Sequence, residues 1–321
     1  MDLRQIRYFL QVAEMGSFSR AAQALAVAQS ALSRQVALLE GELGAALLVR
    51  NGRGVEPTEA GQRFADHCRA ILQQVEHARA DLAAHRDQPS GHLMLGMPPS
   101  AGRVLAMPVV GAFRSAFPQA TISIVEGLSA DLIERLHAGR IDIALVYEPP
   151  KSASLRIVPL ARQELYLVAP AAAKSRGRRK IAAQRDEDIF GEAMRLADIS
   201  KLPLIMPGRA HAMRRHIEAE MIRAKVAVNV ACEIDGIPAL LELVAQGLGH
   251  AILPLQAIAL HDRPRFLLHP IAPSLSITLA AVAPSHRPAN ALTRASLALL
   301  QEVVPQALVP DAGAEGRKTR S

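Results

Sequence analysis

The chain has 321 residues, half of them apolar, a formal net charge of +7 and two cysteines. That length supports two or three compact units, and no stretch approaches the roughly 18 uninterrupted apolar residues of a membrane span. Cys68 and Cys232 stand apart, without CxxC spacing or clustered histidine, which argues against a zinc site and for a reducing compartment.

The start, MDLRQIRYFL, lacks the charged-then-apolar layout of a signal peptide, so a cytoplasmic protein is expected. Leu3, Ile6, Leu10 and Ala13 share one helical face. From Ser17 to Gly44, two helical runs are joined by a polar break, and Ser17 and Ser19 offer side-chain oxygens to cap the first. In the second run Leu32, Val36, Leu39 and Leu43 recur at a helical period as one apolar stripe. Opposite them lie Ser30, Arg34, Ala37 and Gly41, with Ser33 on the flank: a long cation among hydroxyls and small residues. Such a face suits close approach to the major groove, which admits an α-helix. Periodicity by itself leaves a helix-turn-helix reader and an ordinary core helix pair equally open. Net charge does not decide, because residues 1–60 hold six Arg and six Asp or Glu.

After Gly44, ALLVRNGRGVEPT reads as a hairpin with Arg50 and Arg53 flanking its tip, either a wing touching phosphates or a solvated turn. A long helix is expected from Thr58 to about Arg86, broken at Pro89-Ser90-Gly91. Along it Phe64, Cys68, Ile71, Val75, Ala78 and Leu82 alternate spacings of four and three, a heptad seam that calls for a partner helix. Self-association is the expected use of that seam, with packing on its own chain as the alternative.

From His92 onward short strands and helices alternate. LMLGM, TISIVE and IDIALVY are strands around two helical stretches, and LPLIM, VAVNVACEI and HAILP repeat that order about 110 residues later. Two tandem βαβαβ units imply two lobes with a cleft between them. In each lobe the first strand-to-helix loop, PPSAG or PGRAH, opens a helix whose free N–H groups favour a small anion. Ser100, Ser129, Arg209 and His211 stand at these helix starts as candidate contacts. Between Ala171 and Ser200 the chain runs basic and then acidic, either a solvated insertion or a contact surface, and beyond Leu308 a disordered polar tail is expected.

The run from Leu3 to Gly61 closely resembles the N-terminal domain of LysR-type transcriptional regulators. The resemblance lies in Gly16-Ser17-Phe18, Ala21-Ala22, Gln29-Ser30, Ser33-Arg34-Gln35, Leu39-Glu40, Leu43-Gly44 and Thr58-Glu59-Ala60-Gly61. Leu48-Val49 departs from the family's Leu-Phe, and Ala31 from its Pro. Residues 90–305 resemble the family's effector-binding domain, a two-lobed α/β fold like type 2 periplasmic-binding proteins, and LPLIMPGRAHAMRRHIE is similar to the nitrogen-assimilation-control branch.

The resemblance implies a winged helix-turn-helix domain (1–58) and a linker or dimerisation helix (59–89). An effector domain follows, with lobe I about 90–160 and 266–305 and lobe II about 161–265, then the tail (306–321). It implies that Gln29, Ser30, Ser33, Arg34 and Gln35 read or clamp a double-stranded DNA operator. It maps the effector site onto Ser100, Gly102, Leu128, Ser129, Tyr147, His211, Ile234, Asp235 and Gly236. The first lobe crossing falls at Tyr147 and the second near Leu253-Pro254. Dimers paired into a tetramer, contact with RNA polymerase and a small-molecule effector follow as expected partners, with no cofactor or metal. Two rivals are a two-lobed receptor with no DNA role and an enzyme; for the latter His211, Asp235 and Glu242 form no catalytic spacing.

Overall fold

The computed structural model describes residues 1–52, 54–83, 89–171, 189–285 and 289–308. Three helices, α1 (Leu3–Met15), α2 (Phe18–Ala24) and α3 (Gln29–Leu43), are followed by a two-stranded hairpin, β1 (Leu48–Asn51) and β2 (Gly54–Pro57), and by the long α4 (Glu59–Ala83). α1 starts in a reciprocal cap, in which Asp2 accepts from the Gln5 N–H and the Gln5 side chain accepts from the Asp2 N–H. Its buried face is Ile6, Phe9, Leu10 and Val12, while Leu3, expected there, is 39% exposed. Ser17 caps α2 by accepting from the Arg20 N–H, as its hydroxyl suggests.

Leu32, Val36 and Leu39 of α3 are buried, whereas Leu43, placed in the same stripe, is exposed because the helix ends there at Gly44. Glu40 turns inward, and its Oε1 accepts from the Leu47 and Leu48 N–H groups at 2.7 and 3.0 Å, fixing the entry to the hairpin. Thr58 donates to the Ala46 carbonyl and accepts from the Gly61 N–H. A Cβ at Gly61 would lie 1.9 Å from the Leu47 carbonyl oxygen, so only glycine lets α4 come this close.

In the second half, β3 (Gly91–Met97), α5 (Pro99–Ala116), β4 (Ala120–Glu126), α6 (Ser129–His137) and β5 (Ile143–Tyr147) form lobe I. β3 lies between β4 and β5, parallel to both. Then come β6 (Leu155–Pro170), β7 (Met194–Arg195) and α7 (Leu196–Ile199). The second unit, β8 (Leu204–Met206), α8 (Ala212–Arg223), β9 (Val230–Glu233), α9 (Ile237–Ala245) and β10 (Ala251–Pro254), repeats the first: β8 is parallel to β9 and bridges toward β10. β11 (Phe266–Ala272), β12 (Ser276–Pro284) and α10 (Ala291–Leu308) complete the chain.

One strand, β6, runs through both lobes. β6 pairs with β12 over Leu155 to Glu164 and with β10 and β11 over Leu165 to Pro170, so the first crossing lies inside β6, not at Tyr147. Pro254 pairs with Leu165 at the level of that crossing. β11 pairs with the lobe II half of β6 and with β7, which moves the return to lobe I from 266 to the turn before Ser276. The basic run and most of the acidic turn of the 171–200 stretch, and the tail beyond Leu308, lie outside the described residues. Among the described residues no helix is long and apolar enough to cross a membrane.

Candidate reading face and interlobe cleft

Around α3, Gln29, Ser30, Ala31, Arg34, Ala37 and Gly41 are exposed and Ser33 is half-buried, so the small-residue face around Arg34 is present as expected. The first turn has no side-chain cap and no acid. The helix's own acids are turned away: Glu40 holds the hairpin entry, and Glu42 takes the N-terminal ammonium of Met1. Gln29 Oε1 accepts from the Ser19 hydroxyl at 2.9 Å, which fixes its amide at the start of the helix. Gln35 differs from the expectation. It is half-buried and accepts from Gln5 Nε2, so it faces α1. The Arg50 guanidinium lies 5.1 Å over the Phe18 ring, which ties the hairpin to α2. Arg53 lies outside the described residues.

The seam on α4 divides in two. Cys68 is buried in the core of its own N-terminal module, and Phe64 and Ile71, half-buried, pack against it, with the Phe64 ring 5.4 Å from Phe9. Burial pushes the Cys68 thiol up to about 12, against the nearby Arg69 charge, leaving it a packed and unreactive group. Val75 is half-buried and Ala78 exposed; the Leu82 side chain lies outside the described residues. On its other side α4 is fixed to lobe I. Gln73 Nε2 donates to Asp142 Oδ1 at 2.8 Å, Asp142 Oδ2 accepts from the Met94 N–H, and Asp66 pairs with Arg140.

The cleft between the lobes has a volume of about 570 Å³, within the range of small-molecule sites. Four helices begin at it: α5 at Pro98–Ser100, α6 at Leu128–Ser129, α8 at His211–Ala212 and α9 at Gly236–Pro238. None of the four has a side-chain cap. Ser100, Gly102, Leu128, Ser129, Tyr147, His211, Asp235 and Gly236 all line the cavity, as the sequence suggests. Two expected contacts do not. The Arg209 side chain is 80% exposed, with its Nε 4.0 Å from Glu218, and Ile234 packs against the core.

Several of these side chains are already engaged. Ser129 Oγ accepts from the Tyr147 N–H at 3.2 Å, pinning the end of β5 to the start of α6. Burial pushes the Tyr147 phenol up to about 12, opposed by a hydrogen bond with Ser100, so it meets a ligand as a neutral hydroxyl. Asp235 Oδ1 accepts from the Gly208 N–H at 2.8 Å and lies 3.3 Å from His211 Nε2, a buried nitrogen that is out of line for a hydrogen bond. Behind this loop Arg214, 1% exposed, donates to the Pro207 carbonyl and pairs with Glu218 and Glu233, bracing the lip of lobe II.

Sequence reasoning missed Arg103, Glu126, Pro207 and Met213 in the cavity wall. Glu126 had a usable signal, since it is the last residue of a strand leading to a helix start, where ligands of open α/β sheets collect. Its carboxylate lies over the first turn of α5: a Cβ on Gly102 would come within 2.8 Å of Glu126 Oε1. The loops of α5 and α8, expected to receive an anion from solution, are thus each met by a carboxylate of the chain itself.

Residues 3–62 match the family of bacterial regulatory helix-turn-helix proteins of lysR type, and residues 86–305 match the LysR substrate binding domain. The nitrogen assimilation regulatory protein nac of Escherichia coli (strain K12) is 34% identical over 257 residues, covering 79% of this chain and 78% of that protein. Its counterpart in Klebsiella aerogenes is 32% identical over 255 residues, with 79% and 78% covered, in keeping with the expected branch. Among solved structures, a full-length OxyR variant from Pseudomonas aeruginosa gives a TM-score of 0.69 at 23% identity, covering 95% of this chain and 94% of that one. Full-length CbnR complexed with target DNA gives 0.65 at 24% identity, covering 96% and 100%. These two likenesses support the fold; the domain matches and the nac relatives carry the assignment and favour it over a receptor with no DNA role. The chain belongs to the LysR family of transcriptional regulators, with a DNA-binding helix-turn-helix domain joined to an effector-binding domain.

Proposed function

We propose that the exposed face of α3 reads a duplex operator, with Arg34 addressing a guanine edge, Gln29 an adenine edge, and Ser30 and Ser33 the backbone. The observation that carries this reading is the disposition of charge on α3: Arg34 stands outward among small residues while Glu40 and Glu42 are turned to other partners. Arg50 supports the face from the hairpin. Gln35 braces α1 instead of reading. The duplex motif recovered by the full chain from a random pool tests the proposal. A two-fold-related motif is expected, and no enrichment over the pool would contradict it.

Dimers form through the distal part of α4, from Val75 onward, because the proximal part is used by its own module. Val75→Asp yields monomers in sedimentation at micromolar concentration, and an intact dimer would remove this role. Pairing of dimers into a tetramer, a cytoplasmic location, contact with RNA polymerase and the absence of catalysis complete the proposal.

The cleft reaches the DNA through β5. Tyr147 at one end of this buried strand lines the cavity, and Asp142, just before its other end, holds Gln73 of α4. Closure of the lobes on an effector shifts this strut and with it the linker helix, so that ligand and operator affinities are coupled.

A further inference from the structure

We infer that the effector of this chain carries a protonated amine, received by Glu126 of lobe I and Asp235 of lobe II across the cleft. The inference rests on the effector-binding reading of the cleft and adds the chemical class of its ligand.

Three observations support it. First, the charged groups in the cavity wall besides His211 are Arg103, Glu126 and Asp235, one cation against two anions. Arg103 is itself drawn toward Asp262, its Nη2 lying 3.9 Å from Oδ2, so the excess of negative charge is not cancelled within the site. Secondly, a carboxylate of the chain stands beside two of the helix starts that an entering anion would approach. Glu126 lies on the first turn of α5, and Asp235 takes the Gly208 N–H beside the start of α8. An anion bound there would lie beside both carboxylates, a like-charge arrangement that is unfavourable although the exposure of both groups moderates it. An ammonium donates three hydrogen bonds and meets opposite charge on both sides of the cleft.

Thirdly, apart from the hydroxyls of Ser100, Ser129 and Tyr147 the remaining wall is mainly apolar, including Leu128, Met213 and Ile237, and suits a hydrocarbon body. The geometry therefore points to a compact amine with a hydrocarbon side chain. A simple amine and an amino acid share this chemistry. They differ in whether a carboxylate is also held, for which the first turns of α6 and α9 remain available.

The test uses the full chain and matched probes with a common hydrocarbon body: phenylalanine, phenethylamine and hydrocinnamate, then leucine, isoamylamine and isocaproate. Ligand-observed NMR at millimolar concentration measures relative affinity. In at least one set an amine-bearing probe is expected to bind at least about tenfold better than the acid that lacks the amine. Glu126→Gln combined with Asp235→Asn should abolish that preference while DNA binding by the same preparation stays intact, which shows that the variant is folded. Equal or better binding of the acids, a preference that survives in the double variant, or no binding by any amine-bearing probe overturns the inference. Within the amine-bearing probes, stronger binding of the amino acid or of the simple amine identifies the source. Failure of the wild-type chain to select a duplex motif would remove the regulatory reading and leave the amine preference standing, so the two are separable.

Discussion

Helix starts are used twice in this molecule, in opposite ways. At α3 the first turn is left uncapped and free of acids, and the helix's own glutamates are drawn off to Met1 and the hairpin entry. At α5 and α8 the backbone offers the same uncapped start, but Glu126 and Asp235 are laid against or beside it. The backbone device is the same, and the charge that the chain itself sets beside it is not. A helix N-terminus attracts anions only where the chain has not placed one of its own there. On the proposed reading, the placement of acids, more than the count of bases, separates a surface open to phosphate from a cleft suited to an amine.

Reversing the acids is the strongest way to break this contrast. Ser30→Glu puts a carboxylate on the open first turn of α3 and is expected to weaken duplex binding by on the order of 2 kcal/mol, as like charges meet at the contact. Unchanged affinity in an anisotropy titration would mean that the turn does not face phosphate. Gln73→Ala tests how the two regions communicate. It should leave DNA and amine binding individually near wild type but remove most of their coupling, typically about 1–3 kcal/mol in such systems. A ligand-dependent change in operator affinity that persists in the variant would contradict the β5 strut. The smallest effect is expected for Gly102→Ala, whose added Cβ crowds Glu126 Oε1 at 2.8 Å. Because a side-chain end can swing away, the amine preference should fall by only a fewfold, roughly 0.5–1 kcal/mol, with DNA binding unaffected. A change of either sign above tenfold would indicate that Glu126 is held more rigidly than this contact implies.

The N-terminal module was readable because its characteristic residues act over short stretches. Glu40 binds N–H groups seven and eight residues on, and Thr58 caps a turn closed at Gly61. Leu43 and Leu3 broke the expected stripes because they sit at helix ends, where a periodic pattern outlasts the packing that it describes. The heptad on α4 is legible in the sequence as a stripe, and its proximal part packs against its own module. Spacing does not distinguish a partner's helix from the chain's own α1, and the Phe9–Phe64 contact supplies what spacing could not. The tandem units of the effector domain were visible in composition, whereas the crossing inside β6 was not, since an unbroken strand carries no turn residue to mark it. In the cleft, the helix starts are legible in the sequence and the carboxylates that stand beside them are not. Gly102 with Glu126, and Gly208 with Asp235, meet only after distant segments have folded together, so no local pattern announces them.

Operator reading is proposed to rest on Arg34 and the open face around it. Fluorescence anisotropy of the wild-type chain and Arg34→Ala on the selected duplex, with a scrambled duplex alongside, measures it most directly. The account predicts a loss of about 1–3 kcal/mol on the selected duplex with little change on the scrambled one. Equal affinities of the two proteins for the selected duplex would contradict it.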